Sequence, residues 1–150
     1  MKGKTAIAVL AILSILIIAA IISIQNYSQD RVCFKEHCFN VELAVTDEEM
    51  SHGLMYREKL DENAGMLFIY KTEGNYSFWM MNTTIPLDMI WLDKNHIVVF
   101  ISKNTQPCKE TCPLIYPDKN SMYIIEVNSG TADRVGLDIG EKIEFYINQY

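Results

Sequence analysis

The sequence predicts a mainly β domain with one or two short helices, carried behind a single transmembrane helix. Three observations predict it. Residues 5–24 form an apolar run without a charge. Beyond residue 31, apolar runs of four to seven residues recur between Gly, Pro, Asn and Asp, a spacing of strands. The four cysteines fall as two close pairs, Cys33 with Cys38 and Cys108 with Cys112. A chain of 150 residues, 49% apolar and 21% charged, suits one globular domain with a short attachment.

The run 5–24 holds 20 residues, about 30 Å as a helix and one hydrocarbon core. A cleavable signal has a shorter apolar stretch and a small-x-small cleavage site, whereas Ala19-Ala20 is followed by further apolar residues, so an uncleaved anchor is expected. Lys2 and Lys4 precede the run and keep the N-terminus cytoplasmic. The expected organisation is a cytoplasmic segment 1–4, a membrane helix 5–24, a tether 25–31 and an extracytoplasmic domain 32–150, a single-pass protein of the cell membrane. Within the tether the five polar residues from Asn26 to Asp30, at about 3.5 Å each, let the domain rise less than about 20 Å from the bilayer.

Net charge is −6 overall and −8 beyond Ile24, with 11 basic against 19 acidic residues there. Such a domain repels phosphate backbones, which excludes nucleic acid as an expected partner.

Taken in order, Val32-Cys33-Phe34 and Cys38-Phe39-Asn40-Val41 read as two strands of a hairpin with the thiols opposite each other. Strands follow at 39–44, 66–70, 76–80, 88–92, 97–101, 123–127 and 142–147. The runs 89–92 and 97–101 are continuously apolar, as in central strands covered on both faces, and Asp93-Lys94-Asn95 turns one into the other. Thr46-Asp47-Glu48-Glu49 is a capping box, so a helix starts there and stops near Gly53; a second short helix spans 131–135. Residues 102–120 carry three prolines and the second cysteine pair, the makings of an ordered loop closed by a disulfide. Zinc knuckles and thioredoxin-like redox pairs want Cys-x-x-Cys, which is absent, and an oxidising compartment favours structural disulfides.

Several motifs then stand in one order: Gly53-Leu54-Met55-Tyr56-Arg57, Gly65-Met66-Leu67-Phe68, the stretch from Phe78 through Asn82-Thr83-Thr84-Ile85-Pro86 to Asp88, Cys112-Pro113, Glu126-Val127-Asn128-Ser129-Gly130 and the closing Gly136 to Glu141. In order and spacing they resemble the family known as domain of unknown function 192, over nearly all of residues 39–145. The resemblance implies a compact β domain of sandwich or jelly-roll type, exported or anchored, with no established activity. This chain departs from it at Met81, where the family commonly has a polar or basic residue.

The densest stretch is 78–88. One reading makes it a shallow pocket where Trp79 offers an apolar platform and Arg57, Asn82, Thr83 and Asp88 orient a polar ligand. The other makes it a turn whose side chains satisfy their own backbone, with Asp88 accepting amide protons. Arg57 and Glu126 could also form a buried ion pair. The seven methionines of the domain read as core filler, with copper(I) binding the alternative, and His37, His52 and His96 as isolated surface residues. No catalytic motif is found, and no cofactor or metal is expected. The expected function is therefore an extracytoplasmic module binding a small molecule or envelope component; the alternative is a hydrolase using Asp88 or Glu126.

Overall fold

A computed structural model describes residues 10–21 and 29–148. Residues 10–21 are helical and belong to one unit; the domain 30–147 is a second. The rest of the expected membrane helix 5–24 and most of the tether 25–31 lie outside the described residues, and no helix among the described residues is long and apolar enough to cross a membrane. Arg31, assigned above to the tether, already pairs with Asn40 in the first strand.

The domain runs β1 (Arg31–Phe34), β2 (His37–Ala44), α1 (Asp47–His52), β3 (Ala64–Gly74), β4 (Leu87–Leu92), β5 (Val98–Thr105), β6 (Ser121–Asn128), α2 (Thr131–Arg134) and β7 (Glu144–Tyr146). All seven strands form one sheet in the order β5-β4-β6-β3-β2-β1-β7. Every pairing is antiparallel except β2 with β3, whose parallel crossover carries α1. The sheet curls until its ends approach: Ile97 bridges Lys142, the Val98 amide donates to the Glu141 carbonyl at 2.9 Å, and the Ile143 amide donates to the His96 carbonyl at 2.9 Å.

That curl corrects the expected sandwich or jelly roll. Two layers of strands are not needed, because one sheet wraps its own core. Val32, Phe39, Leu67, Ile90, Val98 and Ile125 come from strands along the whole order yet pack as one cluster, with Ala132, Leu137 and Ile143 filling it. Strand alternation sends the remaining side chains to the opposite face. There Met66, Phe68, Met89, Trp91 and Ile124 form a second cluster, roofed by the irregular segments that hold Leu54, Phe78 and Met80.

Both disulfides form locally, as the spacing suggested. Cys33 and Cys38 are directly opposed between β1 and β2 with Cα atoms 4.0 Å apart, and Cys108 bridges Cys112. The 93–95 turn also forms: Asp93 Oδ1 accepts from the Asn95 and Ile97 amides at 2.8 and 2.9 Å.

Two strand expectations need correction. β4 is fully buried between β5 and β6, but β5 ends the strand order and is only half-buried: Val98 and Ile101 face the first cluster, and Val99 and Phe100 pack against the second. Residues 76–80 form no strand beyond a bridge from Phe78 to Ile115. Their aromatics serve side-chain packing: Phe78 meets Phe68 and Trp91 edge-on at 4.9 and 5.6 Å, and Tyr76 stacks on Tyr70 at 3.5 Å. His96 is half-buried against Phe145, ring centroids 4.0 Å apart, and burial lowers its pKa.

Candidate functional site

The outer face of the sheet carries one row of aligned residues, Glu42 on β2, Met66 on β3, Glu126 on β6, Met89 on β4 and Ser102 on β5. Strands lie about 4.8 Å apart, so Glu126 sits roughly 10 Å from Glu42 on the same face.

Residues 46–57 are folded over this row. The capping box sets the start of α1: the Glu49 amide donates to Thr46 Oγ1 at 3.3 Å, and Glu49 Oε2 accepts from the Val45 and Thr46 amides at 2.9 Å each. Those amide donors hold the Glu49 carboxyl below its ordinary pKa. At the other end Gly53 adopts φ 49° and ψ −135°, and its amide donates to the Glu49 carbonyl. A Cβ there would lie 3.3 Å from the Phe68 ring and 3.8 Å from Glu126 Oε2, so glycine lets the turn close over the carboxyl. The segment is pinned to residues 80–84 by the Tyr56 amide, which donates to the Asn82 carbonyl at 2.9 Å, and by the Thr84 hydroxyl, which donates to the Arg57 carbonyl.

Between turn and sheet lies a cavity of about 30 Å³, lined by Met50, His52, Gly53, Trp79, Thr83 and Glu126 among others. Glu126 is only 5% exposed. No backbone or side-chain group among the described residues hydrogen-bonds its carboxyl, and burial pushes its pKa up to about 8. Beside the cavity, and sharing His52 and Gly53 with it, is an open groove of about 590 Å³ bounded by Glu42, Glu48, Arg57 and Met66.

The five ligand-binding residues expected from sequence are divided by the fold. Trp79, half exposed, and Thr83, buried, reach the cavity of Glu126. Arg57 borders the groove but is engaged by Glu42, its two terminal nitrogens 2.5 and 2.6 Å from the two carboxylate oxygens. The ion pair weighed between Arg57 and Glu126 is thus replaced by one with Glu42. Asn82 takes φ 57° and lines a second hollow, of about 330 Å³, with Thr84 and Cys108; Thr83 lines both it and the cavity of Glu126.

Asp88 lies elsewhere. It is 0% exposed, on the other face of β4, and accepts from the Asn104 and Ala132 amides at 2.8 Å each. It holds β5 and α2 to β4, the backbone-satisfying role weighed as the alternative. Met81, the position that departs from the family pattern, is half-buried and bridges Cys108, with its sulfur 4.0 Å from Cys112 Sγ. Among the described residues no group of three His, Cys, Asp or Glu side chains is placed to hold a metal ion.

Sequence reasoning missed Met50, His52 and Gly53 as cavity residues and Glu42 as the partner of Arg57. Only the parallel crossover brings them over β6, and no local spacing reveals it.

A family profile matches residues 31–145, described as DUF192, an uncharacterized ACR. The chain belongs to the DUF192 family. A search of the curated proteins finds no match. Among solved structures, a protein of unknown function from Novosphingobium aromaticivorans is 35% identical with a TM-score of 0.68, over 77% of this chain and 83% of that one. A second, from Sinorhizobium meliloti and described as a proposed transcription regulator, is 32% identical with a TM-score of 0.71, over 78% of this chain and 92% of that one.

Proposed function

We propose that this DUF192 domain is a small-ligand-binding module, held at the outer face of the cell membrane by residues 5–24. The single observation that carries the binding reading is Glu126. Glu126 is 5% exposed and lines the cavity, and holding a carboxyl largely out of water with no protein hydrogen-bond partner is costly unless what occupies the cavity supplies one. A fold that places such a group at the floor of a cavity, under a glycine turn and beside an exposed tryptophan, has the composition of a binding site.

The uncharged run 5–24, Lys2 and Lys4 before it, and two disulfides beyond it support an anchored, extracytoplasmic placement. The charge of −8 beyond Ile24 argues against carrying the Sinorhizobium protein's described role in transcription over to this chain. The hydrolase alternative loses support as a carboxylate pair, since Asp88 and Glu126 occupy opposite faces.

The test is a two-dimensional amide and indole NMR survey of the protein against small metabolites, glycans and envelope peptides. Binding at this site shifts the Gly53 amide, the Thr83 amide and the Trp79 indole together. A survey in which compounds bind but leave these three signals unmoved overturns the assignment of the site.

A further inference from the structure

We propose that the group recognised at Glu126 is a primary ammonium, carried by a small molecule whose body lies along the groove beside it. The proposal rests on the binding reading above and names its ligand class.

Size is the first argument. A cavity of about 30 Å³ admits one or two water-sized groups, the dimensions of an ammonium head and too little for a ring. The larger part of any ligand must lie outside, and the groove of about 590 Å³ that shares His52 and Gly53 has room for it.

Chemistry is the second. Glu126 offers two acceptor oxygens that no protein donor occupies, and an ammonium brings three donors. Phe78 and Trp79 contribute aromatic surface, and the faces of such rings attract cations. Arg57, the nearest fixed cation of the groove, is already held bidentately by Glu42, so an incoming carboxylate or phosphate finds no free guanidinium. Glu48 at the groove and the acidic balance of the domain favour approach of a cation.

Binding carries a proton balance. The Glu126 carboxyl is protonated at neutral pH; on ammonium binding its O–H bond ionises, the proton leaves to solvent, and a carboxylate–ammonium pair remains. The titratable groups nearest it are His52, which lines the cavity, and Tyr70, whose hydroxyl is pushed up to about 12 by burial and stays neutral.

Calorimetry on the full chain at pH 7 tests this with three probes of one shape, n-butylammonium, n-butanol and butyrate, each in phosphate and in MOPS. The expected result is butylammonium binding tightest, with close to one proton released per ligand. Glu126→Gln weakens it at least about tenfold and abolishes the release, as loss of a charge-assisted hydrogen bond requires. Trp79→Ala, at an exposed position that leaves the core untouched, weakens the same probe and repeats the test independently of Glu126. If butanol or butyrate binds as tightly in a Glu126-dependent way, the ammonium class is overturned and the site stands. If none of the three binds while surveyed compounds move Gly53, Thr83 and Trp79, the ammonium class again falls alone. If nothing moves those signals, both readings fall.

Discussion

Asp88 and Glu126 lie one register step apart on neighbouring strands, Asp88 opposite Val127 and Met89 opposite Glu126, so their carboxyls enter opposite faces of the sheet. The two acids differ in every respect that matters. Asp88 is fully buried and accepts from two backbone amides, whereas Glu126 lines a cavity and is hydrogen-bonded by no protein group among the described residues.

Removing the Asp88 carboxylate strands two buried amides. Asp88→Ala is expected to cost about 3 kcal/mol or more in chemical denaturation. Asp88→Asn keeps one acceptor and costs less. In the folded fraction both leave the Gly53, Thr83 and Trp79 signals as in the wild type, since they act from the other face.

Glu126 makes the fold pH-dependent in the opposite sense from a salt-bridged acid. Its folded pKa is raised from 4.5 to about 8, so the folded state holds a proton that the unfolded state has lost. The favourable state is fully present below pH 4.5, and stability falls as pH rises from there to about 8, by several kcal/mol at most. Glu126→Gln abolishes this loss. Thermal melts at pH 5 and pH 8 therefore show the variant gaining on the wild type at the higher pH; equal offsets at both would contradict the assignment.

The Arg57–Glu42 pair is half-exposed despite its bidentate geometry. Its guanidinium holds the Glu42 carboxyl below the usual value, so its contribution is present above pH 4.5 and lost on acidification below it. Glu42→Ala or Arg57→Ala is expected to cost no more than about 1 kcal/mol near neutral pH. A double-mutant cycle in denaturant measures it.

The Cys33–Cys38 bridge closes a short loop between residues five apart in sequence. Chain entropy gives it about 2 kcal/mol. Cys33→Ser with Cys38→Ser should lower the denaturation midpoint accordingly, while the cavity signals stay in place because β1 lies three strands from β6.

What the sequence revealed was local. The Cys33–Cys38 hairpin, the Thr46–Glu49 capping box and the Asp93 turn each depend on residues within five positions, and each forms. Strand direction and closure depend on distant partners. Nothing in residues 39–44 and 64–70 distinguishes a parallel from an antiparallel neighbour, and the Ile97–Lys142 bridge joins residues with no local signature. The Trp79 and Thr83 part of the candidate site was legible because polar and aromatic residues crowd residues 78–88. The importance of Glu126 had one readable sign, a lone charge inside the apolar run Ile124-Ile125-Glu126-Val127. Its face became meaningful only with the register that sets it beside Met66 and under Gly53.

The most direct measurement is the pH titration of the Glu126 side-chain carboxyl carbon by NMR in the unliganded protein. A buried carboxyl that no protein group hydrogen-bonds titrates with a midpoint near 8. A midpoint near the ordinary 4.5 would mean that Glu126 is solvated or paired, and would contradict a binding site built on its carboxyl.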